Sequence, residues 1–359
     1  MKNSIGMFDF VKGFAVCTIV IGHLCMQFNV VENITLNTYN LIVLRILYLC
    51  LGYGTMAMFI LISGYGFRKK KVWSCIKQQA NYILKPYIIV TIAIAVIFPI
   101  VHYAFFKWKA AAIKEMIREV LAFLLVISGE SGIVIGEYAL YSCGAIWFMI
   151  ALMNSWIILN LIMQIENQKI QKILVLLITV IGWFLSRYGI WPFCFQQSLI
   201  FTGYLYAGYW IKKNKLLEKK FSIWEKILMG ICAIIGGAIG QVEMANNVYA
   251  LGIFDVIFSG VVGFLMLKVA LKINQFSCGI ISIVKKIGRY SLWIICLYTV
   301  ESICFPWYLL ADRSKINPLL GFCIAIIGKI IIILLGYILI DKTKSVLKKI
   351  SVKKGIELS

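Results

Sequence analysis

Ten apolar runs, most close to twenty residues and separated by clusters of lysine, set what this chain can fold into. A helix needs about 20 apolar residues to cross the hydrocarbon core of a bilayer. The runs lie near 8–29, 42–66, 84–106, 144–164, 172–189, 194–211, 226–241, 249–271, 290–310 and 319–341. Inside a bilayer every backbone N–H and C=O must be paired within the protein. The runs therefore predict an all-α integral membrane protein, a polytopic bundle of about ten transmembrane helices. A further stretch, 116–128, follows Lys114 and Glu115 and is too short to span. It reads as a re-entrant or interfacial helix.

Charge sets the expected orientation. Only 14% of residues are charged, against about 25% in soluble domains. The net charge of +21 does not mark a nucleic-acid surface, because the basic residues cluster between apolar runs. Assigned to alternate sides, 26 of the lysines and arginines fall on one side and 6 on the other, leaving Lys12, Arg45, Arg187 and Lys329 inside spans. By the positive-inside rule the rich side is cytoplasmic, and with an even number of spans both termini lie there. This places the chain in the cell (plasma) membrane as a multi-pass protein. Residues 1–345 read as one transmembrane domain and 346–359 as a short, basic cytoplasmic tail that nothing ties down. None of the eleven cysteines forms a C-x-x-C pair, and His23 and His102 are the two histidines. No metal site or disulfide framework is expected from these. The first run is too long for a cleavable signal, and no small-residue cleavage site follows it.

The first run carries Asp9, Lys12 and His23. An ionisable group at membrane depth costs roughly 2.5–3.5 kcal/mol or more, so it is a functional candidate by default. Lys12 and His23 are eleven residues apart, which puts them on one helix face ~16 Å apart along the axis, with Asp9 ~40° off it. The plainer reading is a snorkelling Lys12 and a hydrogen-bonded structural His23. The second run ends FILISGYGFRKKK. Ser63 and Gly64 permit close helix approach, and Arg68 to Lys71 suit a phosphate-bearing ligand or a stop-transfer cluster on anionic lipid.

Further along, Trp147 is most simply an interfacial anchor. Pro192 forces a turn at the outer face. Gln196 and Gln197 face either a pocket or the headgroups. Glu243, Asn246, Asn247 and Tyr249 are either groups that grip sugar hydroxyls or ordinary loop residues. Glu301 is another charge inside a span. No phosphate-binding loop, G-x-S-x-G or H-E-x-x-H is present.

Together these residues resemble the acyltransferase 3 family of integral-membrane O-acyltransferases. The family's basic residue, ten residues and histidine read here as Lys12 and His23 within FDFVKGFAVCTIVIGH. Its element of a phenylalanine followed by Ser-Gly is similar to Phe59 to Gly64, its following basic pair to Arg68 and Lys71, and its W-F element to the IWF at Trp147. The stretches LIFTGYLYAGYWIKK and MANNVY resemble the branch that includes fucose 4-O-acetylase-like proteins. The resemblance implies transfer of an acyl group, acetyl in particular, from cytoplasmic acyl-CoA to a hydroxyl of an envelope sugar or its lipid-linked precursor. Acyl-CoA is then a co-substrate, and no bound cofactor is expected. The resemblance implies that His23 is the catalytic base and that Lys12, Ser63, Gly64, Arg68 and Lys71 hold acyl-CoA. Trp147, Gln197, Asn247 and Tyr249 then face the acceptor. Two departures stand out. Lys12 and Lys71 occupy positions where arginine is common, and Tyr298 lies where many members carry a histidine. A proton-coupled transporter using Lys12, His23 and Glu301 is the main rival reading, although no internal repeat is visible. A sensor or anchor without catalysis leaves the intramembrane charges unexplained.

Overall fold

The computed structural model describes residues 2–27, 52–129, 132–276, 278–310 and 318–353. It is 79% helical. In order, the helices are α1 (Lys2–Gln27), α2 (Thr55–Tyr65), α3 (Val72–Phe106), α4 (Lys109–Leu125), α5 (Trp147–Ile162), α6 (Gln168–Leu185), α7 (Phe195–Lys213), α8 (Ile223–Ile239), α9 (Ile253–Ile273), α10 (Gly279–Arg289), α11 (Ser291–Cys304) and α12 (Pro318–Lys353). Two antiparallel two-stranded hairpins join them, β1 (Val134–Ile135) with β2 (Tyr138–Ala139) and β3 (Val242–Glu243) with β4 (Val248–Tyr249).

A helix lies in each of the ten predicted runs, but their lengths differ from expectation. Among the described residues, five helical stretches are long and apolar enough to cross a membrane: Gly6–Cys25, Val72–Phe106, Gly144–Ile162, Gln168–Tyr188 and Ile253–Ile273. Thr55–Tyr65 and Ser291–Cys304 are apolar but shorter. Two of the discrepancies have a local cause. Pro306 lacks an N–H and ends the run 290–310 early, so α11 stops at Cys304 and the chain leaves through a 3-10 turn, Trp307–Leu310. The run 194–211 carries Gln196, Gln197 and Ser198, all fully buried, so protein and not lipid solvates it. Part of the run 42–66, with Arg45, lies outside the described residues.

Two helices begin earlier than the apolar signal predicts. α3 starts at Val72 and not near 84, because Val72–Gln79 is amphipathic and buries Cys75 and Gln79. A π-helical turn, Ala80–Leu84, joins it to the apolar part. α4 is displaced from the stretch 116–128: it begins at Lys109, ends at Leu125, and buries Ala112, Ala122 and Phe123. Arg187 sits at the very end of the stretch Gln168–Tyr188, in the 3-10 turn that closes α6, its guanidinium 4.4 Å from the centre of the Trp183 ring. α12 continues past position 345 to Lys353 without a break.

The core is built around α5 and α7. α7 packs on α2, α5 and α6; α2 also packs on α9. Two backbone crossings fix the arrangement. A Cβ added at Gly64 would run into Leu205 O, and one at Gly208 into Leu61 O, so α2 and α7 touch main chain to main chain. Likewise a Cβ at Gly13 would strike Val284 O and one at Gly288 would strike Asp9 O, which locks α10 onto α1. On its other sides α1 meets α2, α9 and α11, and α11 meets α3 and α12.

Candidate functional site

His23 stands near the end of α1, in an exposed stretch with Ile21 and Gly22. Its Nδ1 is 2.9 Å from the Tyr298 hydroxyl on α11, and the two rings lie 6.0 Å apart at 28°. Tyr298 is 1% exposed, so the phenol fixes one imidazole nitrogen from the protein side while the other edge stays accessible. An ion pair is buried just beyond. Lys329 Nζ on α12 donates to Glu301 Oε1 at 2.9 Å and Oε2 at 3.1 Å, with Glu301 1% and Lys329 2% exposed. Trp307 Nε1 also donates to Glu301. The ammonium lies 5.3 Å from the centres of both the Tyr298 and Trp307 rings. Leu24, one residue beyond His23, packs with Ala325. α1, α11 and α12 therefore converge at His23.

Three turns back along α1, Lys12 is half-buried. Asp9 does not orient it: its Oδ2 accepts from Arg289 Nε on α10 at 2.9 Å. Phe8 meets Tyr65 at 5.7 Å, which brings the starts of α1 and the end of α2 to one depth. The turn after α2 is held from below. Phe67 is buried between Trp156 and Tyr209. Asn160, 1% exposed, accepts from Lys70 N at 2.9 Å and donates to Lys70 O at 3.1 Å, and Gln164 donates to Lys70 O as well. Lys70 Nζ is used by Gln78. Arg68 and Lys71 are left exposed on this clamped turn. Ser63 donates to Phe59 O, and Gly64 faces the backbone of α7.

The four acceptor-side candidates are all drawn into the protein. Trp147 is no interfacial anchor: it is 7% exposed and packs on Phe201 at 5.9 Å. Gln196 is a buried cap, accepting from Trp191 N and donating to Leu185 O and Gly189 O. Gln197 donates to Ser128 Oγ at 2.8 Å, and Asn247 donates to Gly189 O at 3.2 Å. Gln197 Oε1, Asn247 Oδ1 and the Tyr249 hydroxyl are buried without a partner among the described residues. Buried polar atoms are nearly always bonded, so three orphans on the α7 start and the β3–β4 hairpin mark this region for a polar guest or water.

Sequence reasoning missed the Glu301–Lys329 pairing, Asn160, and Glu119. Opposite charges on consecutive predicted spans were the available signal for the first. Glu119, on α4 and outside the spans, has one carboxylate oxygen buried without a partner. Burial pushes its carboxyl up to about 7 against the pull of Arg118. Arg118 itself pairs with Glu115 and stacks 3.4 Å from the centre of Tyr141.

The family model described as an acyltransferase domain matches residues 5–338. No curated protein and no solved structure matches.

Proposed function

Because this chain belongs to the acyltransferase family whose domain covers residues 5–338, and is an acyltransferase of the membrane, we propose that it moves an acetyl group from cytoplasmic acetyl-CoA to a hydroxyl of a cell-envelope sugar or its lipid-linked precursor. The observation that carries this reading is the His23–Tyr298 contact: an accessible imidazole, fixed at one nitrogen, on the helix face that also bears Lys12. The lysine distribution supports ten spans, both termini in the cytosol, and residence in the plasma membrane. The LIFTGYLYAGYWIKK and MANNVY stretches support the fucose 4-O-acetylase-like branch.

In this reading Nδ1–H donates to the Tyr298 oxygen and the Nε2 lone pair faces the acceptor. Nε2 takes the proton of the acceptor hydroxyl as its oxygen attacks the thioester carbonyl. The tetrahedral intermediate collapses with cleavage of the C–S bond, and the imidazolium returns the proton to the departing CoA thiolate. Such a base contributes typically 10²- to 10⁴-fold. Arg68, Lys71 and Lys12 neutralise CoA phosphates, with Ser63 and Gly64 beside the pantetheine path. Trp147, Gln197, Asn247 and Tyr249 belong to the acceptor side, where the unpartnered oxygens of the last three match hydroxyl donors.

A second reading, a proton-coupled transporter, rests on the chain His23, Tyr298, Lys329 and Glu301. Both are tested by radiolabelled acetyl-CoA in inside-out vesicles, comparing wild type with His23→Ala at equal abundance. We expect wild type to transfer label and the variant to lose at least about 100-fold. Full activity in the variant removes His23 from the mechanism. Wild-type membranes that consume no acetyl-CoA in the presence of acceptor extract favour the transporter.

A further inference from the structure

Among the described residues α10 is the most strongly amphipathic helix, GIISIVKKIGR, with Ile280 and Ile283 exposed on one side and Lys285, Lys286 and Arg289 on another. Its basic side borders two adjoining clefts. The larger, about 560 Å³, runs between the end of α9 at Asn274 and Gln275 and the α10 residues Ser282 and Lys285. The smaller, about 220 Å³, is lined by Ser282, Lys285, Lys286, Arg289 and Tyr290. Arg289 is engaged with Asp9, and Lys285 reaches Asn274 O only at 3.5 Å.

The position of these clefts gives them meaning. α10 is locked to α1 at Gly13 and Gly288, so the basic side lies at the depth of Lys12. From Tyr290 the chain passes directly into α11, which packs on α1 and reaches Tyr298 and His23. The α1–α11 seam thus opens at the basic clefts and ends at the candidate base. Along α1 it measures ~16 Å from Lys12 to His23. The pantetheine arm between a diphosphate oxygen and a thioester sulfur is a chain of about twelve bonds, roughly 15 Å when extended at ordinary bond lengths. The two lengths match.

We propose that Ser282, Lys285 and Lys286 form a phosphate-binding site, distinct from the Arg68–Lys71 turn, that takes the nucleotide end of acyl-CoA. A phosphomonoester dianion is the chemistry it suits: two ammonium groups and a hydroxyl donor on one helix face. An anionic lipid headgroup offers the same chemistry. The assignment to acyl-CoA rests on the acyltransferase reading; the phosphate site itself does not.

The test uses the full chain in nanodiscs, with Lys285→Gln/Lys286→Gln beside wild type. KM is measured for acetyl-CoA and 3′-dephospho-acetyl-CoA, in zwitterionic bilayers and in bilayers with anionic lipid. Binding of adenosine 3′,5′-bisphosphate is measured separately by thermal shift. We expect wild type to prefer acetyl-CoA by about tenfold in KM, as for one lost charge-assisted contact, and the double variant to lose that preference in both bilayers. If the variant keeps the preference but loses a stimulation by anionic lipid, the phosphate site stands with a headgroup as its occupant. If neither preference, lipid response nor nucleotide binding changes, the site is overturned. Wild type that binds the bisphosphate through these lysines yet turns over no acetyl-CoA keeps the site and sinks the acyltransfer reading.

Discussion

In the proposed reaction Tyr298 decides which nitrogen of His23 is free. An imidazole has two nitrogens, and the hydrogen bond made by one decides what the other can do. Tyr298→Phe keeps the buried ring, its packing, and its face toward Lys329, and removes only the hydroxyl. We expect kcat to fall about tenfold or more while KM for acetyl-CoA stays within about twofold. Equal kcat would assign the phenol to packing alone. Glu119 gives a prediction of another kind. Its carboxyl is raised from 4.5 to about 7 by burial, so the folded protein prefers the neutral acid. The stability it lends in acid is lost as pH rises from about 4.5 through 7. Glu119→Gln should therefore stabilise the protein at pH 8, by about 2 kcal/mol, and change little at pH 5. Thermal unfolding in detergent at the two pH values measures this; an equal change at both refutes it. Single residues were unevenly legible in the sequence. His23 and Glu301 stood out because charge in an apolar run is expensive. Asn160 did not, and Trp147 and Tyr298 were noticed without their partners, since a tyrosine, an asparagine or a tryptophan in an apolar run has no local signature of its partner.

Helices were legible in position more than in extent. From α5 onward apolarity located every helix except the amphipathic α10, which lies between two runs, yet it overstated those whose length is cut by a proline or whose burial is in protein, as at Pro306 and Gln196–Ser198. It understated α3 and α4, whose first turns are amphipathic. Pairing between elements was barely legible, and opposite charges on consecutive runs were the one signal for the Glu301–Lys329 contact. Its energetics make a direct prediction. Glu301→Gln leaves the Lys329 ammonium buried without its counter-charge, at a cost of about 3–5 kcal/mol. Glu301→Gln with Lys329→Met removes both charges and should recover to within about 1 kcal/mol of wild type. Folded yield by size-exclusion after solubilisation reports this. A double variant as poor as the single one would show that the pair matters for its hydrogen bonds and not for its charge balance.

At the scale of the molecule, a core of helices crossing at glycine contacts carries two ends of different character. One end gathers Lys12, Arg68, Lys71, Lys285 and Lys286 around α1, the other the half-satisfied polar atoms of Gln197, Asn247 and Tyr249. α1 runs between them and holds His23. That division matches a reaction whose donor and acceptor arrive from opposite faces of a bilayer. The buried ion pair also bears on how such a molecule comes to be made. α11 is one of the shorter apolar helices, and α11 and α12 each carry a charge that costs roughly 2.5–3.5 kcal/mol to leave in lipid by itself. α11 is therefore a poor insertion signal alone. Joined, they neutralise one another at 2.9 Å. α11 is therefore expected to settle in the bilayer only once α12 has been made, the two entering as a hairpin. A chain truncated between them leaves Glu301 without its counter-charge.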